Sequence, residues 1–213
     1  MLILPWDAAV DDGEWKAWLA GRDFGQLTAN GVDGGPPVVV PTPFLFDGDA
    51  TVLLHFARPN PVFPALAANP AVTLSVFDQW AYVPTTWRAP DDSPDGVPTQ
   101  YYAAVQLVGR AEVVDDREGK AEILRAQLAH HQPDGDHGLV AVDEGPYRKM
   151  LSAIRGVRLR VDEVRAKFKY DDHKPAAFRA RIADRLAERG LPGDAGARAQ
   201  QLRRLDLLTG DGS

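Results

Sequence analysis

Over much of its length the chain alternates apolar and polar residues with a period of two, the pattern of half-buried strands. Residues 24–29 form one such run. Asn30-Gly31 then gives a strong turn signal, extended by Gly34-Gly35. Val38, Val39 and Val40 open a second strand that continues through Pro41-Thr42-Pro43 to Phe44-Leu45-Phe46, and its prolines predict an edge or a bulge. Asp47-Gly48-Asp49 turns into a strand over 51–56, so this stretch reads as a meander of hairpins. Val72, Leu74 and Val76 alternate with Thr73 and Ser75, residues 81–83 extend or follow that run, and a long strand is predicted over 100–114. The intervening residues 84–98 are rich in Pro, Asp and Ser and predict a loop carrying Trp87 and Arg88. Val157, Leu159 and Val161 alternate with Arg158 and Arg160 in a further strand. Val164, Ala166, Phe168 and Tyr170 then alternate with Arg165, Lys167 and Lys169, so one face is apolar and the other carries three cations.

Helical spacing is confined to fewer segments. Asp11-Asp12-Gly13-Glu14 reads as a helix start, with Trp15, Trp18 and Leu19 on one face as core residues and Gly21 as a C-cap. Residues 63–68 give one or two helical turns, stopped by Asn69-Pro70. A helix is predicted over 117–131, with Ala121, Leu124 and Leu128 aligned, and a short one over 147–154, capped by Gly156. After Pro175, Phe178, Ile182 and Leu186 stack at helical spacing, and a last helix covers 195–208. Six or more antiparallel strands with few, short helices predict a mainly β (α+β) barrel rather than a doubly wound sheet. The expected organisation is a cofactor-binding barrel over 1–175 and a helical extension over 176–213, packed on the barrel or on a dimer partner.

Composition narrows the function classes. The 213 residues, 45% hydrophobic and 25% charged, suit one globular domain, or one domain with an appendage. A net charge of -6 argues against nucleic acid, and the C-terminal arginines are interleaved with Asp184, Glu188 and Asp206. Cysteine is absent, which removes disulfides, thiolate nucleophiles and Cys metal sites and fits a cytoplasmic setting. No signal-peptide pattern opens the chain, and no apolar run reaches the ~18 residues of a membrane span. A dinucleotide Gly fingerprint, a P-loop and a Ser elbow are all missing. No His/Asp/Glu spacing along the chain matches a zinc or di-iron site.

The stretch from Leu53 to Pro61 carries the most chemistry: an apolar strand that places His55, Arg58 and Asn60 within six residues and closes on two prolines. Arg58, Lys167 and Lys169 are the best anion-binding candidates, with Asn60 as a donor beside them. Lys167 and Lys169 fit a solvated strand face equally well. His55 suits a satisfied core histidine or a ligand. His173, in the polar segment Tyr170-Asp171-Asp172-His173, suits a surface residue, a general base or a metal ligand. His130-His131 lies at a helix end, where the helix C-terminus explains it. Tyr101 and Tyr102 point to opposite faces of their strand, and Gln106 shares the face of Tyr102.

Several of these segments together resemble the PaiB-like, FMN-binding "negative transcriptional regulator" family. The matching pieces are residues 24–27, the Pro41-Thr42-Pro43 strand, the His55 to Pro61 corner and Val97-Pro98-Thr99 running into Tyr102 and Gly109. They continue with residues 150–156 and end at Lys167-Phe168-Lys169. The resemblance implies an FMN-binding split β-barrel, antiparallel and homodimeric, with cofactor at the subunit interface. Gln100 and Tyr101 stand where such proteins usually carry Trp and Asn. Gln106 stands where they carry His, and Tyr170-Asp171-Asp172-His173 replaces an amide-rich run. The chain is in these respects similar to the piperazate synthase branch, which has exchanged flavin for haem. That branch implies haem b, with FMN as the alternative, and cyclisation of N5-hydroxy-L-ornithine to L-piperazic acid through an N–N bond. On this reading His55, or next His173, ligates iron, and Arg58, Asn60, Lys167 and Lys169 hold the cofactor. Asp171 or Asp172 holds the substrate ammonium and Arg88 or Arg155 its carboxylate, with Tyr101, Tyr102, Gln106 and His173 completing the catalytic set. The FMN-binding alternative is a PaiB-like oxidoreductase or redox-linked regulator.

Overall fold

A computed structural model describes residues 1–78, 80–91 and 93–209. In chain order its helices and strands are α1 (Asp12–Ala20), β1 (Phe24–Ala29), β2 (Val38–Pro43), β3 (Leu45–Phe46), β4 (Thr51–Ala57), α2 (Val62–Ala68) and β5 (Ala71–Phe77). They continue with β6 (Ala81–Val83), α3 (Thr85–Arg88), β7 (Thr99–Val114), α4 (Arg117–His131), α5 (Tyr147–Ala153), β8 (Ile154–Lys169), α6 (Ala176–Arg189) and α7 (Asp194–Thr209). The chain divides into two compact units. One gathers Met1–Trp15, Phe77–Val105 and Ala166–Ser213, and the other Lys16–Val76 and Gln106–Arg165.

The second unit is built on strands in the order β2-β1-β5-β7-β8-β4-β3. The registered pairs β1–β2, β1–β5, β3–β4 and β4–β8 are antiparallel. Period-two alternation produces its core directly. Leu27, Val52, Leu54, Leu74, Leu107, Val157 and Leu159 are fully buried, each stabilising the fold by roughly 1.5–3 kcal/mol relative to exposure. Their polar neighbours face the other way. β2 ends the sheet, as its prolines predict, because an edge strand can spare the missing N–H donors. The strand breaks at Phe44, whose N–H turns to the Asp23 carbonyl while the ring is buried.

Three local expectations differ from what is found in this unit. The turn after β1 is not made by Asn30-Gly31: Gly31 has φ -66°, and the left-handed residues are Asp33 and Gly34. Gly31 is instead tightly enclosed, since a Cβ there would lie 2.1 Å from the Gly35 carbonyl oxygen. Gly156 caps no helix. It lies inside β8, where a Cβ would meet Ile123 Cδ1 of α4 at 2.5 Å, so its role is close approach of a helix to a strand. The two strands expected over 157–170 are one unbroken strand.

The first unit pairs β6 with the start of β7, Ala81 opposite Tyr101. Ile182, Ala183 and Leu186 of α6 and Ala197 of α7 are buried, as are Tyr101, Phe168 and Tyr170. The Tyr101 and Tyr170 rings meet edge-on at 5.6 Å, a favoured aromatic geometry. The expected loop over 84–98 contains a single helical turn, α3. The expected cationic face of residues 165–169 is also altered. Ala166, Lys167 and Phe168 are all buried, and Lys167 donates to the Leu2 carbonyl at 2.8 Å. Among the described residues no helix is long and apolar enough to cross a membrane.

Candidate functional site

The end of β4 brings Arg58 to a corner of the second unit. Its guanidinium forms a fork on Asp115, Nη1 to Oδ2 at 3.1 Å and Nη2 to Oδ1 at 2.6 Å, and its Nε donates to the Ser152 carbonyl. Asp115 also faces Lys120 Nζ at 3.4 Å and Arg155 Nε at 3.0 Å. The Arg58 hydrogen bond, helped by these cations, holds the Asp115 carboxyl below the usual range. Three cations thus share one carboxylate, and the corner keeps an excess of positive charge. Arg155 Nε is close to Asp115 but not aligned with it, so its buried N–H makes no hydrogen bond among the described residues. The Arg155 guanidinium lies 5.2 Å from the Phe63 ring. A cavity of about 320 Å³ opens here, lined by Arg58, Asn60, Phe63 and Arg155 among others. Asn60 Oδ1 accepts from the Val62 N–H in an Asx turn, which leaves the amide Nδ2 as a donor.

His55 lies three residues before Arg58, on β4 opposite Gly156. Its Nδ1 is 2.7 Å from Gln127 Oε1, and Gln127 Nε2 donates to the Leu53 carbonyl. With the amide so oriented, Nδ1 carries the imidazole proton and the Nε2 lone pair is left over. Gln106 shares the half-exposed sheet surface and lies 3.4 Å from Ser75 Oγ.

The remaining predicted residues fall in the first unit. Asp172 is buried between Arg179, at 2.5 Å, and Arg204, at 2.6 Å, and Arg204 continues to Glu14 at 2.6 Å. Asp171, at φ 59° in the left-handed region, pairs with Arg88 and accepts from the Tyr101 hydroxyl at 3.0 Å. Burial, reinforced by the Asp171 charge, pushes the Tyr101 hydroxyl far up. Lys169 donates to Thr99 Oγ1 at 2.8 Å, and burial with nearby Lys167 pulls its ammonium down. Both lysines lie near the Tyr102 ring, at 5.7 and 5.9 Å. Lys167 also faces Asp7 at 3.6 Å, where burial outweighs the lysine and pushes the Asp7 carboxyl up. His173 is exposed, its ring 4.9 Å from Trp6.

His55, Arg58, Asn60 and Gln106 therefore belong to one unit, and Tyr101, Tyr102, Lys167, Lys169, Asp171, Asp172 and His173 to the other. Asp171 and Asp172, expected to receive a substrate ammonium, are already satisfied by arginines of the chain itself. Lys167, expected as an anion grip, is engaged with Leu2 and Asp7. Asp115, Lys120 and Gln127 were not singled out from the sequence. One signal for Asp115 exists: in Asp115-Asp116 only the second residue caps α4, accepting from the Gly119 N–H, so the first is spare for another partner.

Comparison with known proteins places this geometry in context. Residues 1–163 match the family described as "Putative FMN-binding domain". The chain is 24% identical over 176 residues to protease synthase and sporulation protein PAI 2 of Bacillus subtilis, covering 80% of this chain and 82% of that protein. Among solved structures it is similar to the flavocytochrome Anf3 of Azotobacter vinelandii, with TM-score 0.58, 23% identity and coverage of 77% and 70% of the two chains. It is also similar to an FAD and haem binding protein of Mycobacterium smegmatis, with TM-score 0.58, 21% identity and coverage of 76% and 73%. The fold shared with these structures is the antiparallel split barrel with helices.

Proposed function

We propose, for a chain that belongs to the "Putative FMN-binding domain" family, that FMN binds at the Arg58–Arg155 corner and that the protein works as a PaiB-like flavin oxidoreductase or redox-linked regulator. The observation that carries this reading is the excess of positive charge there, three cations on the single Asp115 carboxylate, with the buried Arg155 Nε–H unaligned with any acceptor among the described residues. A phosphate monoester brings about -1.5 to -2 charge and three strong acceptor oxygens, the complement of such a corner. Arg58 and Arg155 would hold the phosphate, Asn60 Nδ2 would donate beside them, and Phe63 would supply an apolar wall. Bound FMN supplies hydride and one-electron chemistry. Asp115 fixes the Arg58 fork so that little freedom is lost when an anion arrives. A homodimer is part of this proposal. Exposed Val39 on the edge strand β2 and Phe24 on its neighbour β1 support it, because burying them would stabilise association. A cytoplasmic setting is proposed from the Cys-free composition.

The test compares FMN with riboflavin, which lacks the phosphate, by titration of flavin fluorescence. FMN should bind, riboflavin should bind much more weakly, and Arg58→Ala or Arg155→Ala should erase the difference. Equal affinity for the two flavins, or uptake of neither, would overturn the assignment.

A second reading is favoured by His55, whose Gln127 contact fixes the tautomer that leaves Nε2 as a metal donor. On this reading the chain carries haem b with His55 as axial ligand and acts as a piperazate synthase on N5-hydroxy-L-ornithine. The arginine pairing of Asp171 and Asp172 leaves neither of these two carboxylates free for the substrate ammonium, so FMN stands first. An absorption spectrum of the purified chain separates the two. A Soret band that is lost in His55→Ala and kept in His173→Ala would put haem ahead; paired flavin bands would put FMN ahead.

A further inference from the structure

We infer that Asp23, His130 and His131 form a binding site for one divalent transition-metal ion of the zinc, nickel or copper class. The inference is independent of the flavin reading. Asp23 Oδ2 lies 3.6 Å from His130 Nε2 and 3.4 Å from His131 Nδ1, and all three donor atoms fall within 4.8 Å of one another. Zinc–ligand distances of ~2.0–2.1 Å put tetrahedral neighbours roughly 3.3–3.4 Å apart. Two edges of the triangle are therefore near their liganded length, and the third is no longer than 4.8 Å.

The fold explains why two adjacent histidines can converge. Neighbouring residues inside a helix diverge around its axis. Here His131 is the last residue of α4, and Gln132 leaves helical geometry at φ -133°, so the pair lies at the open end. The two rings pack edge to face with centroids 4.9 Å apart. Asp23 approaches from the segment before β1, and the three side chains are 38–50% exposed, open to an ion from solvent. Two imidazoles and one carboxylate make a borderline nitrogen–oxygen set. Calcium and magnesium prefer all-oxygen shells, whereas this set suits zinc, nickel or copper and leaves a fourth position open. Bound metal would tie the start of β1 to the end of α4 and stabilise the folded state by linkage.

The competing account is a plain imidazolium–carboxylate contact at a helix C-terminus. Calorimetric titration of the untagged, full-length, metal-free chain with zinc chloride or nickel sulfate decides between them. One equivalent should bind saturably and raise the melting temperature. Asp23→Asn and His131→Ala should each weaken binding ~10–100-fold or more, the scale already reached by losing an outer-shell partner. His137→Ala, at an exposed position outside the Asp23–His130–His131 group, should leave binding unchanged. Absence of saturable binding by the unaltered chain would overturn the proposal, as would binding that survives both Asp23→Asn and His131→Ala.

Discussion

The two units carry charge in opposite ways. In the first, Glu14, Asp171 and Asp172 meet Arg88, Arg179 and Arg204, all six side chains 2–13% exposed, and Glu14 also meets Arg203, which is 36% exposed. In the second, Arg58, Lys120 and Arg155 share Asp115 alone, and three of the four side chains are 32–42% exposed. Buried charges are tolerated only when balanced, because unpaired ions lose their hydration without compensation. Half-exposed charges can stay unbalanced, since water screens the surplus until an anion displaces it. Balance and burial thus mark the first cluster as architecture. Surplus and access mark the second as a binding surface.

The sharpest way to break this contrast is Arg204→Ala. It leaves Glu14 and Asp172 buried with one cation fewer, and removal of one partner from such a network costs ~3–5 kcal/mol. Urea denaturation should show the loss of a large share of total stability. An Arg204→Ala protein as stable as the parent would show that the network is solvated after all. The reverse result is expected at the corner. Arg58→Ala should weaken FMN binding by roughly 10–100-fold, matching ~1.5–3 kcal/mol for hydrogen bonds to a charged group, while stability changes by under ~1 kcal/mol. A stability loss without a binding loss would reassign Arg58 to architecture. Next in size is Tyr101→Phe, which removes the hydroxyl donor to Asp171 while Arg88 keeps that carboxylate paired. A cost of about 1 kcal/mol is expected in the same urea experiment, with FMN affinity unchanged.

How much of this was legible beforehand follows from the same division. Alternation of apolar and polar residues specifies which face of a strand is buried, so Leu54, Val72 and Leu107 could be placed from sequence. The His55–Asn60 corner was visible because its residues lie within one strand and turn. Lys167 was not, since the alternating pattern reads it as solvent-facing; the N-terminal segment, with Asp7 and the Leu2 carbonyl, covers it. Asp172 and Arg204 were missed as partners for a related reason. Local spacing says nothing about which distant helix returns to meet a polar segment, and an arginine on an amphipathic helix reads as solvated until something packs over it. Asp23 and His130-His131 are likewise far apart in the chain and adjacent only in the fold. Pairing across long sequence separation is decided by topology, and a single sequence carries little direct record of it.

The smallest effect expected concerns acid stability at Asp115. Its folded carboxyl sits below its ordinary value, held there first by the Arg58 hydrogen bond. A carboxyl depressed on folding binds its proton more readily in the unfolded chain. Its stabilising contribution is therefore complete above the unfolded value, near 3.8, and is lost as pH falls through the lower folded value. Because the Asp115 side chain is 42% exposed, screening keeps that contribution within the ~0–1 kcal/mol typical of surface pairs. Asp115→Asn should flatten the stability curve by that amount between pH 5 and pH 2, with urea midpoints compared at each pH, a window set by the ~3.8 reference and the downward shift. The same variant should leave the neutral-pH stability of the first unit's network untouched, since among the described residues the ion-pair partners of Asp115 are Arg58, Lys120 and Arg155. A steeper acid loss than the exposure allows would mean that the corner is covered in solution, as in a homodimer, and would move it toward the balanced, buried class.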